Sequence, residues 1–107
     1  MYYIISLKHT NRQDKNICLW QKNNSGYCSS RELAGVYEDY KRGYHDTEGD
    51  SMPVSKEKLD GLFIDSISDS KGTLNRSVPN CKQVWELLDV KMTKHGLVRI
   101  KRKITTS

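Results

Sequence analysis

Three histidines (His9, His45, His95) and three cysteines (Cys18, Cys28, Cys81) have the widest chemical reach of any residues in this 107-residue chain. Together they could hold zinc; singly they could serve as a base or a nucleophile. Zinc sites usually draw on ligands that local spacing brings together, and none of the six forms a CxxC or HxxxH pair. A hairpin centred on Asn24-Ser25 would set Gln21 opposite Cys28 and leave Cys18 three positions further along. At about 3.3 Å per residue that is ~10 Å, beyond the roughly 7 Å that a disulfide spans. An odd number of cysteines in a chain lacking an export signal reads as reduced thiols. His45 stands among Glu38, Asp39, Asp46, Glu48 and Asp50, but YHDTEGD lacks the terminal Glu of a calcium loop and reads as a solvated acidic loop. His9 would act as a base only if folding brought it a nucleophile. With no GxSxG, HExxH, P-loop or dinucleotide fingerprint either, the expectation is no catalytic, metal or cofactor residue and no small-molecule substrate. An enzyme built on His9 or His45 is the weaker alternative.

The charge pattern points instead to a partner. Residues 1–81 carry eleven Lys and Arg against eleven Asp and Glu, whereas residues 82–107 carry seven against two, so the net +5 sits in the last quarter. LVRIKRKI (97–104) alternates as a strand, with Val98, Ile100 and Ile104 on one side and Arg99, Lys101 and Lys103 on the other. Cations two residues apart lie about 6.6 Å apart along a strand, near the phosphate repeat of a nucleic-acid strand. Trp20 and the six tyrosines could supply stacking surfaces, although no helix-turn-helix, RNP or finger signature is present. Arg99, Lys101 and Lys103, with Tyr40 and Tyr44, are therefore the candidate partner-binding residues, and loop 45–51 is a second, acidic patch.

The elements that must position them follow from periodicity. YYIISLK (2–8) reads as a strand with apolar residues on both faces. ICLWQK (17–22) and GYCS (26–29) form a hairpin about NNSG, with Trp20 read as a core residue. Ser29-Ser30-Arg31-Glu32 matches a capping box, and Leu33, Val36, Tyr37 and Tyr40 follow at helical spacing up to Gly43. MPV (52–54) is a short extended segment, SKEKLDGLF (55–63) a short helix with Ser55 as cap, and 64–78 a loop read as mobile. NCKQVWELLDV (80–90) is the strongest helix, capped at Asn80, with Cys81, Val84, Trp85 and Leu88 on one stripe. The expected fold is α+β. A small antiparallel sheet of about four strands (2–8, 17–22, 26–29 and 97–104) is packed by the helix in the C-terminal half and one or two shorter ones. The chain is one domain with no membrane span and no export signal, which places it in the cytoplasm.

SLKHT (6–10), LWQKNNSGYC (19–28) and AGVY (34–37) together resemble a family of small uncharacterised proteins of tailed phages and prophages. The likeness covers about the first 37 residues, with MPVS (52–55) a looser fit. It implies a phage context, hence the host cell cytoplasm, and no active residues. Small phage proteins of this kind commonly bind, and many block a host defence system in the manner of anti-CRISPR proteins. The resemblance therefore implies a non-enzymatic protein engaging a host or phage macromolecule, most readily a protein. A nucleic-acid-binding module using the basic C-terminal strand is its rival.

Overall fold

The computed structural model describes residues 1–47, 49–67 and 74–100. Its spine is β1 (Tyr2–Ser6), flanked by β2 (Leu19–Trp20) and β4 (Ser51–Ser55), with β3 (Tyr27–Cys28) beyond β2. The four strands run antiparallel in the order β3-β2-β1-β4. Because β1 is paired on both edges and covered on both faces, Tyr3, Ile4 and Ile5 are at most 2 % exposed, which explains why its sequence carries no clean polar face.

The core joins Tyr3, Ile5, Leu7, Ile17 and Leu19 of the sheet side to Leu59, Val84, Leu88 and Leu97. Each such side chain, fully buried, contributes about 1.5–3 kcal/mol. Helix α1 (Lys56–Asp60) begins where the Ser55 hydroxyl accepts from the Lys58 amide, and it buries only Leu59. Helix α2 (Lys82–Leu88) buries Val84 and Leu88 and ends at Asp89, whose φ of 58° is left-handed. Its N-cap is Cys81 rather than Asn80. The Asn80 amide instead accepts from Trp85 Nε1 and donates to the Asn11 and Asp14 carbonyls, tying the 11–14 turn to the helix.

Two further hairpins complete the fold: β5 (Ile64–Ile67) with β6 (Leu74–Ser77), and β7 (Val90–Thr93) with β8 (Gly96–Arg99). Gly96 has φ of 113°, and a Cβ there would stand 2.8 Å from the Leu7 carbonyl oxygen, so only glycine fits the turn.

The architecture is α+β, as the sequence predicts, but four elements differ from expectation. No helix follows the capping box. Residues 34–37 are spent on the sheet: Gly35 N–H donates to the Trp20 carbonyl, and Tyr37 exchanges two backbone hydrogen bonds with Tyr2. Gly35 lies so close to Gln21 and Lys22 that a Cβ would meet their backbone at 2.8 Å. Leu33 and Val36, which suggested a buried stripe, are 59 % and 40 % exposed. The expected strand 97–104 is β8 in residues 96–99 and belongs to its own hairpin; residues 101–104 lie outside those described. The fourth strand of the main sheet is instead the MPV segment, lengthened to β4. The expected loop 64–78 is paired at both ends as β5 and β6, and residues 68–73 lie outside those described.

The register of the first hairpin also differs. Trp20 pairs with Tyr27 and Leu19 with Cys28, leaving a loop of 21–26 that opens with a single 3₁₀ turn at Lys22–Asn24. Cys18 is therefore one position from the partner of Cys28, not three, and the distance argument against a disulfide does not hold. Both are free thiols.

Candidate functional site

The end of β1 and the β2–β3 hairpin carry an aromatic group at the surface. Trp20 is nine-tenths buried, and Tyr27, its cross-strand partner, stands at 90° to it with ring centroids 5.9 Å apart. Tyr44 packs edge-on to the same indole at 5.2 Å. Tyr27 and Tyr44 remain 46 % and 48 % exposed. His9 lies against Tyr27 at 4.2 Å, tilted by 33°. The Trp20 Nε1 is buried without a hydrogen-bond partner; the neighbouring rings accept an N–H only weakly.

Two recesses flank the His9–Tyr27 stack. One, of about 230 Å³, is bounded by Ser6, Lys8, Trp20, Tyr44 and Asp50 beside that stack. The other, of about 330 Å³, is bounded by Asp14, Lys15, Asn16 and Cys18 together with the same two rings. Asp50 reaches its place because its carbonyl accepts from the Leu7 and Lys8 amides as the chain leaves β1.

The loop under Tyr44 is held by His45. Its Nδ1 accepts from the Lys41 amide, so Nε2 carries the proton and donates to Asn24 Oδ1 at 2.7 Å. Burial, then the charge of Lys41, pushes this imidazole below its ordinary value. Both ring nitrogens are committed, which leaves His45 no lone pair for a substrate. Asn24 has φ of 58°, and its backbone N–H donates to the Tyr37 hydroxyl, which itself donates to the Gln21 carbonyl. The polar turn in LWQKNNSGYC is thus clamped from below by a tyrosine and a histidine far along the chain.

His9 has a different partner. Ser6 Oγ lies 2.8 Å from His9 Nδ1, the contact through which an imidazole could activate a hydroxyl. Among the described residues no carboxylate hydrogen-bonds His9, so the orienting third group of a triad is missing. The thiols are equally quiet. Burial, with smaller contributions from Cys28 and Asp14, pushes Cys18 up to about 11. Burial raises Cys28 as well, so neither is a ready thiolate. Among the described residues no group of three or more His, Cys, Asp or Glu could hold a metal ion, and no helix is long and apolar enough to cross a membrane.

The residues singled out in the sequence are dispersed. Arg99 donates from Nη2 to the buried Ser51 carbonyl and forms an ion pair with Asp46, its side chain only 28 % exposed. Arg99 of the basic strand and Asp46 of the acidic loop 45–51, read as belonging to two separate patches, thus pair with each other. Lys101 and Lys103 lie outside the described residues. Tyr40 stacks edge-on against Tyr2 at 5.0 Å, half-buried and away from the recesses. Only Tyr44 lines one of them. Sequence reasoning missed the site that gathers Ser6, His9, Trp20, Tyr27 and Asp50. One signal was present: Ser6 and His9 sit three apart in SLKHT, at the end of a strand where the chain turns. No protein-family model, curated protein or solved structure matches the chain.

Proposed function

We propose that this is a non-enzymatic binding protein that engages a macromolecule through the face built from His9, Trp20, Tyr27 and Tyr44. The observation that carries the reading is the pair of half-exposed tyrosines braced against a buried tryptophan. Rigid aromatic side chains of this kind supply contact area at little entropic cost, which is why they are favoured at interfaces. The internal engagement of Arg99 moves the proposed contact surface away from the basic strand and toward this face. The commitment of both His45 nitrogens and the missing third group beside Ser6–His9 support action by binding rather than by catalysis.

The resemblance of the first 37 residues to small phage and prophage proteins supports a host or phage macromolecule as the target, with inhibition of a host defence system as the biological outcome. SLKHT and LWQKNNSGYC, which carry that resemblance, also carry Ser6, His9, Trp20 and Tyr27. The test is capture from infected host lysate by the immobilised chain, with a Tyr27→Ala/Tyr44→Ala variant in parallel. Both positions are half exposed, so the variant should fold. Specific capture by the parent chain and its loss in the variant is the expected result. Equal capture by both would remove this face from the proposal.

A further inference from the structure

We infer that the two recesses and the His9–Tyr27 stack between them form a track for single-stranded nucleic acid. The inference rests on the binding-face reading and names its partner. Both recesses share His9 and Tyr27 as a common wall, so a ligand filling both must cross an aromatic ridge. Each also holds one exposed lysine, Lys8 in the first and Lys15 in the second. An aromatic ridge with a cation in the recess at each of its sides suits a polymer of bases joined by phosphates. A base stacks on the exposed side of the ridge, and the lysines take phosphates on either side of it.

Each recess also holds one carboxylate, Asp50 and Asp14 respectively. One Asp14 oxygen already accepts from the Asn11 amide. These groups oppose phosphate but accept from the amino groups of bases, so they belong to the base side of the track. The lysine in each recess removes the net negative field that an aromatic cage for an alkylammonium group needs. A duplex is disfavoured, because its bases are already stacked and present no free face to Tyr27. The excess of +5, carried by residues 82–107, supplies long-range attraction only; contact within the track falls to Lys8 and Lys15.

Fluorescence anisotropy of a labelled, mixed-sequence DNA strand of about twelve nucleotides, titrated with the full chain at roughly 50 mM salt, provides the test. Binding is expected, with the same sequence as a duplex held more weakly. Tyr27→Ala should weaken it about 5- to 150-fold, the loss of one stacked base at ~1–3 kcal/mol, while Tyr27→Phe retains it. Lys8→Ala and Lys15→Ala should each lower the salt slope by about 0.7. No binding at that salt overturns the inference. So does binding that ignores Tyr27→Ala and is lost only in Lys101→Ala or Lys103→Ala. If lysate capture depends on Tyr27 and Tyr44 but survives nuclease, and the strand is not bound, the nucleic-acid partner is rejected while the binding face stands.

Discussion

Gly35→Ala has opposite signs under the two structures that its sequence suggests. In a helix over 31–40, as the capping box and the Leu33, Val36, Tyr37 and Tyr40 spacing predict, alanine would replace the poorer helix former. It would then stabilise the chain by about 0.8–1 kcal/mol. In the observed fold the new Cβ lands 2.8 Å from Gln21 C and Lys22 N and 2.9 Å from Gln21 O, all backbone atoms. Carbon contacts are comfortable at about 3.5–4.0 Å, so the Gln21–Lys22 backbone and residue 35 must part by roughly 0.7–1.2 Å. Overpacking of this kind costs ~1–3 kcal/mol. The Gly35 N–H to Trp20 carbonyl bond, 2.9 Å long, is strained with it and adds about 1 kcal/mol. Reduced freedom of the unfolded chain returns ~0.4–1 kcal/mol. The net is a loss of about 2 kcal/mol, or ~8 °C in Tm for a domain of this size. Thermal melts followed by far-UV circular dichroism give the sign directly. Gly49→Ala is the control, since nothing lies within 4 Å of its Cβ position, and it should change stability by less than ~0.5 kcal/mol. A rise in Tm for Gly35→Ala would refute the bridged arrangement and restore the helix.

Other consequences follow from the polar contacts. Asn24→Gly keeps the left-handed backbone but leaves His45 Nε2–H without its acceptor; because Asn24 is exposed, water relieves part of the loss, and a cost of about 1–2 kcal/mol is expected at pH 8. Asn24→Ala should lose about 1 kcal/mol more through the left-handed penalty, and equal stability of the Gly variant and the parent would show the bond to be idle. His45 is depressed below the ordinary imidazole value of 6.5, so the unfolded chain takes the proton first as acid is added. Its contribution to stability is complete above about pH 6.5 and is lost as the pH falls through the folded value; urea melts from pH 8 to 5 should weaken accordingly, and less so in His45→Phe. Arg99→Ala removes both the bond to Ser51 and the ion pair with Asp46 and should cost about 1–3 kcal/mol. A double-mutant cycle with Asp46→Asn should return a coupling of at least ~0.5 kcal/mol, and additive losses would mean that the pair contributes nothing.

What could be read in the sequence was what local periodicity and caps control. β1, the β2–β3 hairpin, α1 behind Ser55 and the Val84–Leu88 stripe of α2 all answer to residues within a few positions of each other. The region 31–40 failed because its deciding contact is non-local. Gly35 reads as a weak point in a helix, whereas it is small so that the Gln21 backbone can lie against it. β5 and β6 failed for the opposite reason. Ile64 is 53 % exposed and sits in a run of serines and aspartates, and Ser77, which is buried, is polar, so hydrophobic alternation gave no signal at these positions.

The site illustrates the same limit in chemical terms. Alternation along 97–104 takes Val98 and Ile100 as the apolar side, yet Leu97 is 1 % exposed and Ile100 42 %, so Arg99 shares its side of the strand with a buried residue, and a strand pattern never gives what waits there. Asp46 and the Ser51 carbonyl wait for Arg99, and charges desolvated against each other are poor handles for a partner. The rings in SLKHT, LWQKNNSGYC and GYHD are too far apart in the chain for any spacing rule to group them. They meet because β1 carries His9 past the hairpin while His45, held between Lys41 and Asn24, raises Tyr44 beside Trp20. It follows that disturbing Asn24 or His45, neither of which borders a recess, should loosen Tyr44 and weaken binding at the face while leaving Tyr27 and Lys8 in place. Asn24→Gly should therefore reduce affinity less than Tyr27→Ala does, and a variant that lost stability but bound as tightly as the parent would separate the clamp from the surface it is argued to support.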